Sequence, residues 1–241
     1  IDMHRTVLIT GASRGIGRVT AEMLAGQGHR VIGVSRRRPE GFFPGEYYEA
    51  DFGDARQTAA VFEQVALAHA VDTVVNNAGL TTSRTVEEGD ARELEQILGV
   101  NLRAAMQAVQ ACLPHLRQSG RGRIVNLSSR AALGMAGRNA YSAAKSGVIG
   151  FTRTWALELG AYGINVNAVA PGPVETELYL RNNPMSQEQR AALLQRIPLQ
   201  RLGRPEDIAN CIEFLISDKS SFMTGQVLYV CGGLSIGAAP L

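Results

Sequence analysis

Hydrophobic and polar positions along this chain fall into two alternating textures. Short apolar, β-branched runs recur at Thr6–Thr10 (TVLIT), Arg30–Val34 (RVIGV), Tyr47–Ala50 (YYEA), Thr73–Asn76 (TVVN), Arg123–Leu127 (RIVNL), Asn165–Ala170 (NVNAVA) and Val227–Val230 (VLYV). Continuous apolar runs of this length suit strands covered on both faces, as in a parallel sheet. Between them lie longer stretches with helical spacing: Gly15–Ala25, Arg56–Ala70, Ala91–Gln118, Tyr141–Leu159 and Pro205–Ser217. The third is expected to break or bend near Pro114, because proline removes an N–H and crowds the preceding turn. Pro205 suits a first helical turn. Strand–helix–strand alternation implies right-handed crossovers and helices on both faces. The pattern predicts an α/β fold, one doubly wound parallel sheet of about seven strands in a single domain spanning residues 1–241. Residues 175–199 break the rhythm: they follow a strand, contain Pro184 and Pro198, and are amphipathic only in part. An insertion beyond a strand's carboxyl end is where a substrate lid would sit.

Composition narrows the classes. A chain of 241 residues is ample for one large core and tight for two domains. With 45% hydrophobic and 19% charged residues it has no disordered signature. A net charge of +2 gives no general attraction to nucleic acid. Basic residues do cluster at Arg36–Arg38 and at Arg117, Arg121 and Arg123. Cys112, Cys211 and Cys231 are odd in number and far apart, which fits neither a disulfide framework nor a metal site. No apolar run is long enough for a bilayer, and the apolar run after Arg5 stops at Gly11, unlike a signal peptide. A cytoplasmic protein is expected. The glycine-rich tail Gly232–Leu241 is expected on the surface.

Candidate chemistry begins at residues 10–17, TGASRGIG. They follow the first strand and open the first helix. Gly11, Gly15 and Gly17 permit a sharp turn and a close approach of backbone N–H groups to an anion, and the helix N-terminus favours a pyrophosphate. The spacing is G-x-x-x-G-x-G rather than the commoner G-x-G-x-x-G. The context makes a Rossmann-type dinucleotide site the better reading than a plain glycine turn. At the end of the second strand an acid would favour NAD. Here the chain reads Ser35-Arg36-Arg37-Arg38, with no acid before Glu40. Guanidinium groups pair well with phosphate, and Arg14 would approach from the other side. NADP is therefore expected over NAD, with a merely solvated basic loop as the competing reading for Arg37 and Arg38.

Four further stretches complete a pattern: NNAG at 76–79, VNLRAA at 100–105, NLSS at 126–129 and YSAAK at 141–145. With TGASRGIG and PGPVETE at 171–177, the chain resembles the short-chain dehydrogenase/reductases of the large single-domain type, over nearly its whole length. The resemblance implies roles. Tyr141 would be the general acid in reduction and the base in oxidation. Lys145 would hold the nicotinamide ribose and lower the phenol's pKa. A serine after the fifth strand would hydrogen-bond the substrate oxygen, and Asn101 would help hold a water in a proton relay to Lys145. Gly11, Ser13, Arg14, Gly15, Ile16, Gly17, Ser35, Arg36, Asp51, Phe52, Asn76, Ala78 and Gly79 would line the adenosine and phosphate side. Pro171, Gly172, Val174 and Thr176 would border the nicotinamide, beside Tyr141 and Lys145.

Elementary chemistry supports the Tyr141–Lys145 pair independently. A free tyrosine has a pKa near 10, and an adjacent cation favours the phenolate. Residues four apart on a helix share a face. The small Ser142, Ala143 and Ala144 leave room for a cofactor. The chain departs from the family pattern in three places. Ser128 and Ser129 are adjacent; counting from the strand selects Ser129, counting back from Tyr141 selects Ser128, and Ser129 is preferred because a loop absorbs a deletion more easily. Cys231 stands where an Asp often precedes Gly-Gly. The segment between the second and third strands is short.

Two substrates fit. One is a 3-oxoacyl thioester on acyl-carrier protein or coenzyme A, with the arginines at 117–123 meeting an acidic carrier, although Tyr162 stands where carrier-docking relatives often have a basic residue. The other is a small ketone, sugar or polyol. A dinucleotide sensor without turnover is a third, weaker reading. The resemblance implies a homotetramer or homodimer, paired through the small-residue faces Leu102–Ala111 and Ala143–Gly150.

Overall fold

The computed structural model describes residues 4–236. Seven strands form one sheet in the order β3-β2-β1-β4-β5-β6-β7. They are β1 (Thr6–Thr10), β2 (Arg30–Ser35), β3 (Glu46–Glu49), β4 (Thr73–Asn76), β5 (Arg123–Leu127), β6 (Asn165–Pro171) and β7 (Val227–Val230). Every neighbouring pair is parallel. The order reverses between β1 and β4, so a crevice opens beyond their carboxyl ends, where open α/β sheets bind ligands.

Alternate side chains explain the continuous apolar runs. Val7 and Ile9 of β1 point into one core with Leu24 of α1 (Gly15–Gly26) and Ile208 and Ile212 of α8 (Pro205–Ile216). Leu8 points the other way, into a core with Phe62 of α2 (Ala55–Ala68) and Ala108, Cys112 and Leu116 of α4 (Ala104–Ser119). Each such fully buried aliphatic side chain contributes about 1.5–3 kcal/mol. The helix over Asn139–Leu159, α5, lies on the same face as α2 and α4 and supplies Ala156 and Leu159 to that core.

The long helical stretch is interrupted, but not at Pro114. That residue sits inside an unbroken α4. The discontinuity falls earlier, where α3 (Ala91–Leu98) passes through a π turn at Gly99–Arg103 into α4. Asn101 lies in this turn, and its Nδ2 donates to the carbonyl of Ile97 at 2.9 Å. A side-chain amide thus serves a carbonyl that the widened turn leaves open. Such single π turns mark functional positions in helices.

Residues 175–199 form α6 (Glu177–Asn182) and α7 (Gln187–Arg196), neither of which buries a residue. Thr176 caps the first through its Oγ1, and a Ser186–Gln189 capping box starts the second. Of the predicted surface tail, Gly232–Ile236 is described and residues 237–241 lie outside the described residues. No helix among the described residues is long and apolar enough to cross a membrane.

Candidate active site

The glycine turn is built by close approach. A Cβ on Gly17 would stand 2.4 Å from both Asn77 Nδ2 and the Gly11 carbonyl oxygen, so only glycine lets α1 sit this near β4. Gly11 and Gly15 have φ of +70° and +57°, the left-handed region that favours glycine. Asn77 pins the turn, donating from Nδ2 to the Thr10 carbonyl at 2.9 Å and the Gly11 carbonyl at 3.1 Å. The N–H of Ser13 donates to Ser35 Oγ at 3.3 Å, tying the turn to the end of β2. Arg14 precedes α1 in extended conformation and gives it no side-chain cap. The helix N-terminus is thus left to an anionic ligand. Ile16 packs against the core.

At the end of β2 the arginines divide. Arg38 lies over the Tyr47 ring at 5.8 Å and donates to the Tyr47 carbonyl at 3.3 Å. Tyr47 Oη donates to the Arg37 carbonyl at 3.1 Å, which fixes the loop. The guanidinium groups of Arg36 and Arg37 are exposed and have no partner among the described residues. Arg14 is half-exposed and faces Glu177 at 3.6 Å. A glycine cradle and a helix N-terminus without a side-chain cap fit a nicotinamide dinucleotide. Asp51 is exposed and accepts from the Gly53 N–H at 2.9 Å. Phe52 is turned inward, stacked on Phe62 with ring centroids 5.9 Å apart, so only its main chain faces this side.

Tyr141, Lys145, Ser129 and Asn101 converge on the next stretch of crevice. Lys145 is buried and donates from Nζ to the Leu127 carbonyl at 2.7 Å. A Cβ on Gly79 would lie 3.2 Å from Asn101 Oδ1 and 3.5 Å from Lys145 Nζ. Gly79 is therefore small because these polar atoms meet at it. Asn101 Oδ1 is buried with no partner among the described residues, while its Nδ2 also donates to the Leu80 carbonyl at 2.9 Å. An acceptor in this state is suited to an ordered water or a ligand hydroxyl.

The adjacent serines point apart, as successive residues at a strand end must. Ser128 is buried and donates to the Lys145 carbonyl at 2.8 Å. Ser129 caps the following 3-10 turn by accepting from the Ala131 N–H at 3.1 Å, and it faces the Tyr141 phenol. Of the two, the structure brings Ser129 to Tyr141.

The electrostatics differ from the sequence expectation at one point. Burial raises the Tyr141 pKa; a hydrogen bond with Ser129 and the charge of Arg138 partly offset it. Lys145 Nζ lies 5.7 Å from the Tyr141 ring centroid but is not among the groups that lower the phenol's pKa. Its ammonium is directed at the Leu127 carbonyl, and burial pulls its own pKa down to about 8. The Ser129 hydrogen bond and then the charge of Arg138 oppose the effect of burial on the phenol, which stays above its ordinary value.

A family model described as enoyl-(acyl carrier protein) reductase matches residues 11–235. The chain belongs to the short-chain dehydrogenase/reductase family. It is 38% identical over 246 residues, covering 98% of both chains, to the (2S)-[(R)-hydroxy(phenyl)methyl]succinyl-CoA dehydrogenase subunit BbsD of Thauera aromatica. It is 38% identical to the 3-oxoacyl-[acyl-carrier-protein] reductase of Thermotoga maritima, covering 96% of this chain and 98% of that one. Among solved structures it superposes on an aldohexose dehydrogenase of Thermoplasma acidophilum with a TM-score of 0.89, at 33% identity, covering 99% of this chain and 96% of that one. A candidate NAD(P)-dependent gluconate 5-dehydrogenase of Beutenbergia cavernae, with NADP at low occupancy, gives a TM-score of 0.91 at 35% identity, covering 97% of each. The chain is accordingly an NAD(P)-dependent oxidoreductase.

Other predicted positions of this dehydrogenase/reductase lie as follows. Ala78 donates its N–H to Thr10 Oγ1 at 3.0 Å beside the glycine turn. Asn76 is buried, and its Nδ2 donates to Asn126 Oδ1 at 2.9 Å, so its side chain is held inside the sheet rather than at the crevice. Pro171 ends β6. Gly172 donates its N–H to the Val230 carbonyl at 3.0 Å, and a Cβ on it would strike Cys231 Cβ at 2.7 Å. Cys231 thus packs against the strand end and meets Ser235 Oγ at 3.2 Å. The side chain of Val174 is buried in the core, and Thr176 spends its hydroxyl on the α6 cap. Among the described residues no cluster of His, Cys, Asp and Glu has metal-binding geometry.

Sequence reading missed Asn77, Arg138 and Tyr179. For Asn77 a signal existed, the second amide of NNAG; alternation along β4 turns its neighbour Asn76 inward. Arg138 adjoins Tyr141 in sequence as the N-cap of α5, and only Tyr179 is brought to the site by tertiary packing alone. Of the arginines at 117–123, Arg117 is exposed, Arg121 is half-buried and Arg123 is buried. Arg117 lies over the Tyr162 ring at 4.2 Å, and Arg123 is buried at the opposite end of the sheet from the crevice.

Proposed function

We propose that this enzyme reduces a ketone to a secondary alcohol with NADPH, using Tyr141 as proton donor and Ser129 to hold the reacting oxygen. The observation that carries this reading is the meeting of Tyr141, Ser129, Lys145 and Asn101 beside a glycine cradle. A bound nicotinamide dinucleotide would supply the hydride. The residues supply the rest. Tyr141 Oη gives its proton to the carbonyl oxygen as charge develops there, and the Ser129 hydroxyl donates a hydrogen bond to the same atom. Lys145, with a pKa of about 8, is poised to pass protons near neutrality. The orphaned Asn101 Oδ1 beside it would hold a water that links Lys145 to solvent. Arg36 and Arg37, unpaired at the end of β2, support NADP over NAD.

For the substrate, the thioester names of the Thauera and Thermotoga relatives support a 3-oxoacyl or related acyl thioester. The inward turn of Arg123 counts against docking of an acidic carrier protein at the 117–123 segment, and so favours a coenzyme A thioester. The aldohexose and gluconate dehydrogenases among the structural neighbours support a second reading, a sugar or sugar acid. A homotetramer or homodimer is proposed on the half-exposed small-residue face of α5, where Ala143 and Gly150 are exposed; light scattering showing a monomer would remove it.

Nicotinamide absorbance, followed with NADPH and NADH against 3-oxoacyl-CoA thioesters, simple ketones and sugars, tests the reading. NADPH-dependent turnover that is lost in Tyr141→Phe is the expected result. Turnover retained in that variant would overturn the assignment of the proton donor, and an NADH preference would overturn the role of Arg36.

A further inference from the structure

Cations around the catalytic helix are not evenly matched by acids. Arg84 pairs with Glu93 at 2.8 Å, Arg14 with Glu177 at 3.6 Å, and Arg190 with Glu175. Glu88 and Asp90, in the nearby loop, accept hydrogen bonds from the backbone N–H groups of Thr85 and Glu93. Arg138 and Arg130 are half-buried, and among the described residues neither has a carboxylate partner.

Arg138 is the N-cap residue of α5, three positions before Tyr141, and its charge reaches the phenol. Its Nη1 donates to Thr81 Oγ1 at 3.2 Å and to the Thr82 carbonyl at 3.1 Å, and its Nη2 donates to Asn183 Oδ1 at 2.7 Å. A guanidinium has five N–H donors. These three contacts all go to neutral acceptors, which position the group without cancelling its charge. The Nε donor has no partner among the described residues. The backbone is fixed as well: Arg138 forms a parallel bridge with Arg84, and its carbonyl accepts from the Ser142 N–H at 2.7 Å. A rigid, uncompensated, planar cation thus sits beside the proton donor.

Tyr179 of α6 lies opposite. It is half-buried, and its hydroxyl has no hydrogen-bond partner among the described residues. Burial raises its pKa, while the charges of Arg138, Arg190 and Arg130 lower it. The charge of Arg138 also reaches Tyr141. A basic wall therefore runs from the catalytic phenol to the segment over the cleft, and its acids are either paired or spent on backbone.

We infer that this wall reads a free carboxylate on the substrate, with Arg138 as the main contact and Arg130 and the Tyr179 hydroxyl beside it, so that the enzyme acts on oxo compounds that carry such a group and on their hydroxy counterparts. The inference rests on the proposed use of the cleft beside Tyr141 for carbonyl reduction. A planar guanidinium with unused N–H groups matches a carboxylate in geometry as well as charge. Because protein contacts already hold it, little ordering cost remains to be met on binding. The competing role for Arg138 is purely mechanical: a latch joining the Thr81–Thr82 loop, α5 and the end of α6.

Matched ligands separate the two. Binding of 3-oxobutanoate, 4-oxopentanoate and 5-oxohexanoate, each against its methyl ester, would be measured by calorimetry on NADP-loaded protein and by NADPH oxidation. At least one acid is expected to bind about 10- to 100-fold more tightly than its ester, the range for a charge-assisted pair. Arg138→Gln is expected to collapse that ratio toward one, and Arg130→Gln to reduce it by a smaller factor; the second variant removes no contact seen in the fold. Equal binding of acid and ester by the parent protein overturns the inference. So does an Arg138→Gln protein that loses both ligands in equal proportion, which is the latch result. So does a preference confined to dihydroxyacetone phosphate over dihydroxyacetone, which assigns the wall to phosphate. If no ketone is reduced but the acid-over-ester ratio and its loss in Arg138→Gln persist, the reductase reading fails and the anion site stands.

Discussion

The two ends of the sheet hold similar residues in opposite states. At the amino end, Arg5 and Arg123 are buried and converge on Asp218, at 3.1 Å and 3.6 Å, while Arg121 meets Asp72 at 3.3 Å. Arg5 Nη1 and Arg123 Nη1 both donate to the Arg121 carbonyl, while Arg123 Nε is buried without a partner among the described residues. At the carboxyl end, Arg36, Arg37, Arg130 and Arg138 have no carboxylate among the described residues, and Asn101 Oδ1 is buried without a partner. The amino end pairs its arginines with aspartates; the carboxyl end leaves four arginines without a carboxylate partner. Charges taken out of water are ordinarily paired, so the lack of carboxylates beside these four arginines agrees with a ligand face at the carboxyl end.

The comparison can be broken most sharply at Tyr141. Tyr141→Phe is expected to reduce kcat by about 100- to 10,000-fold, the usual contribution of a general acid, with NADPH affinity retained. Stopped-flow turnover beside fluorescence titration of the cofactor would check it; a loss of affinity on the same scale would mean the phenol is structural. Replacing Arg36 and Arg37 together by Ala is expected to lower kcat/KM for NADPH by about 10- to 100-fold and to leave NADH nearly unchanged. Equal losses with both cofactors would show these arginines to be no different from those at the amino end.

At that amino end, Asp218→Asn is expected to cost about 1–3 kcal/mol of stability, because two buried guanidiniums lose an acceptor of opposite charge. The figure is held down because Asp218 itself is half-exposed. Urea unfolding would measure it, and kcat at saturating substrate should not move. The smallest effect is a pH slope. Burial holds Lys145 at about 8 against 10.5 in the unfolded chain. Between those values the unfolded chain binds more protons, so the contribution of Lys145 to stability rises with pH, by at most about 1.4 kcal/mol per pH unit. Below about 8 the buried charge is a constant cost. In the ligand-free protein Lys145→Met should therefore flatten the stability profile between pH 8 and 10.5. An unchanged slope would mean that the ammonium is well solvated.

Much of this was legible before any coordinates. β1 and β5 were read with the right ends because a strand covered on both faces leaves an unbroken apolar run. The glycine turn was legible because left-handed backbone and close approach both demand glycine. The choice between Ser128 and Ser129 was open to argument only because a strand alternates. Pro114 misled, since α4 continues through it, while the actual interruption at Gly99–Arg103 opens on a glycine, a weaker breaker than proline. Its signal is Asn101, whose amide serves the Ile97 carbonyl.

By itself, the sequence determined the fold class, the glycine turn and the spacing of Tyr141 and Lys145, because these follow from periodicity and from what individual residue types permit locally. Only the tertiary structure decided which polar groups were already spent. The arginines of 117–123 and of 36–38 look alike in a string of letters. The first set is folded against aspartates, carbonyls and an aromatic ring, while Arg36 and Arg37 stand free at the end of β2. Arg138, Thr81, Asn183 and Tyr179 come together across more than a hundred residues of chain. Charge compensation is a property of distances, and the folded chain sets them.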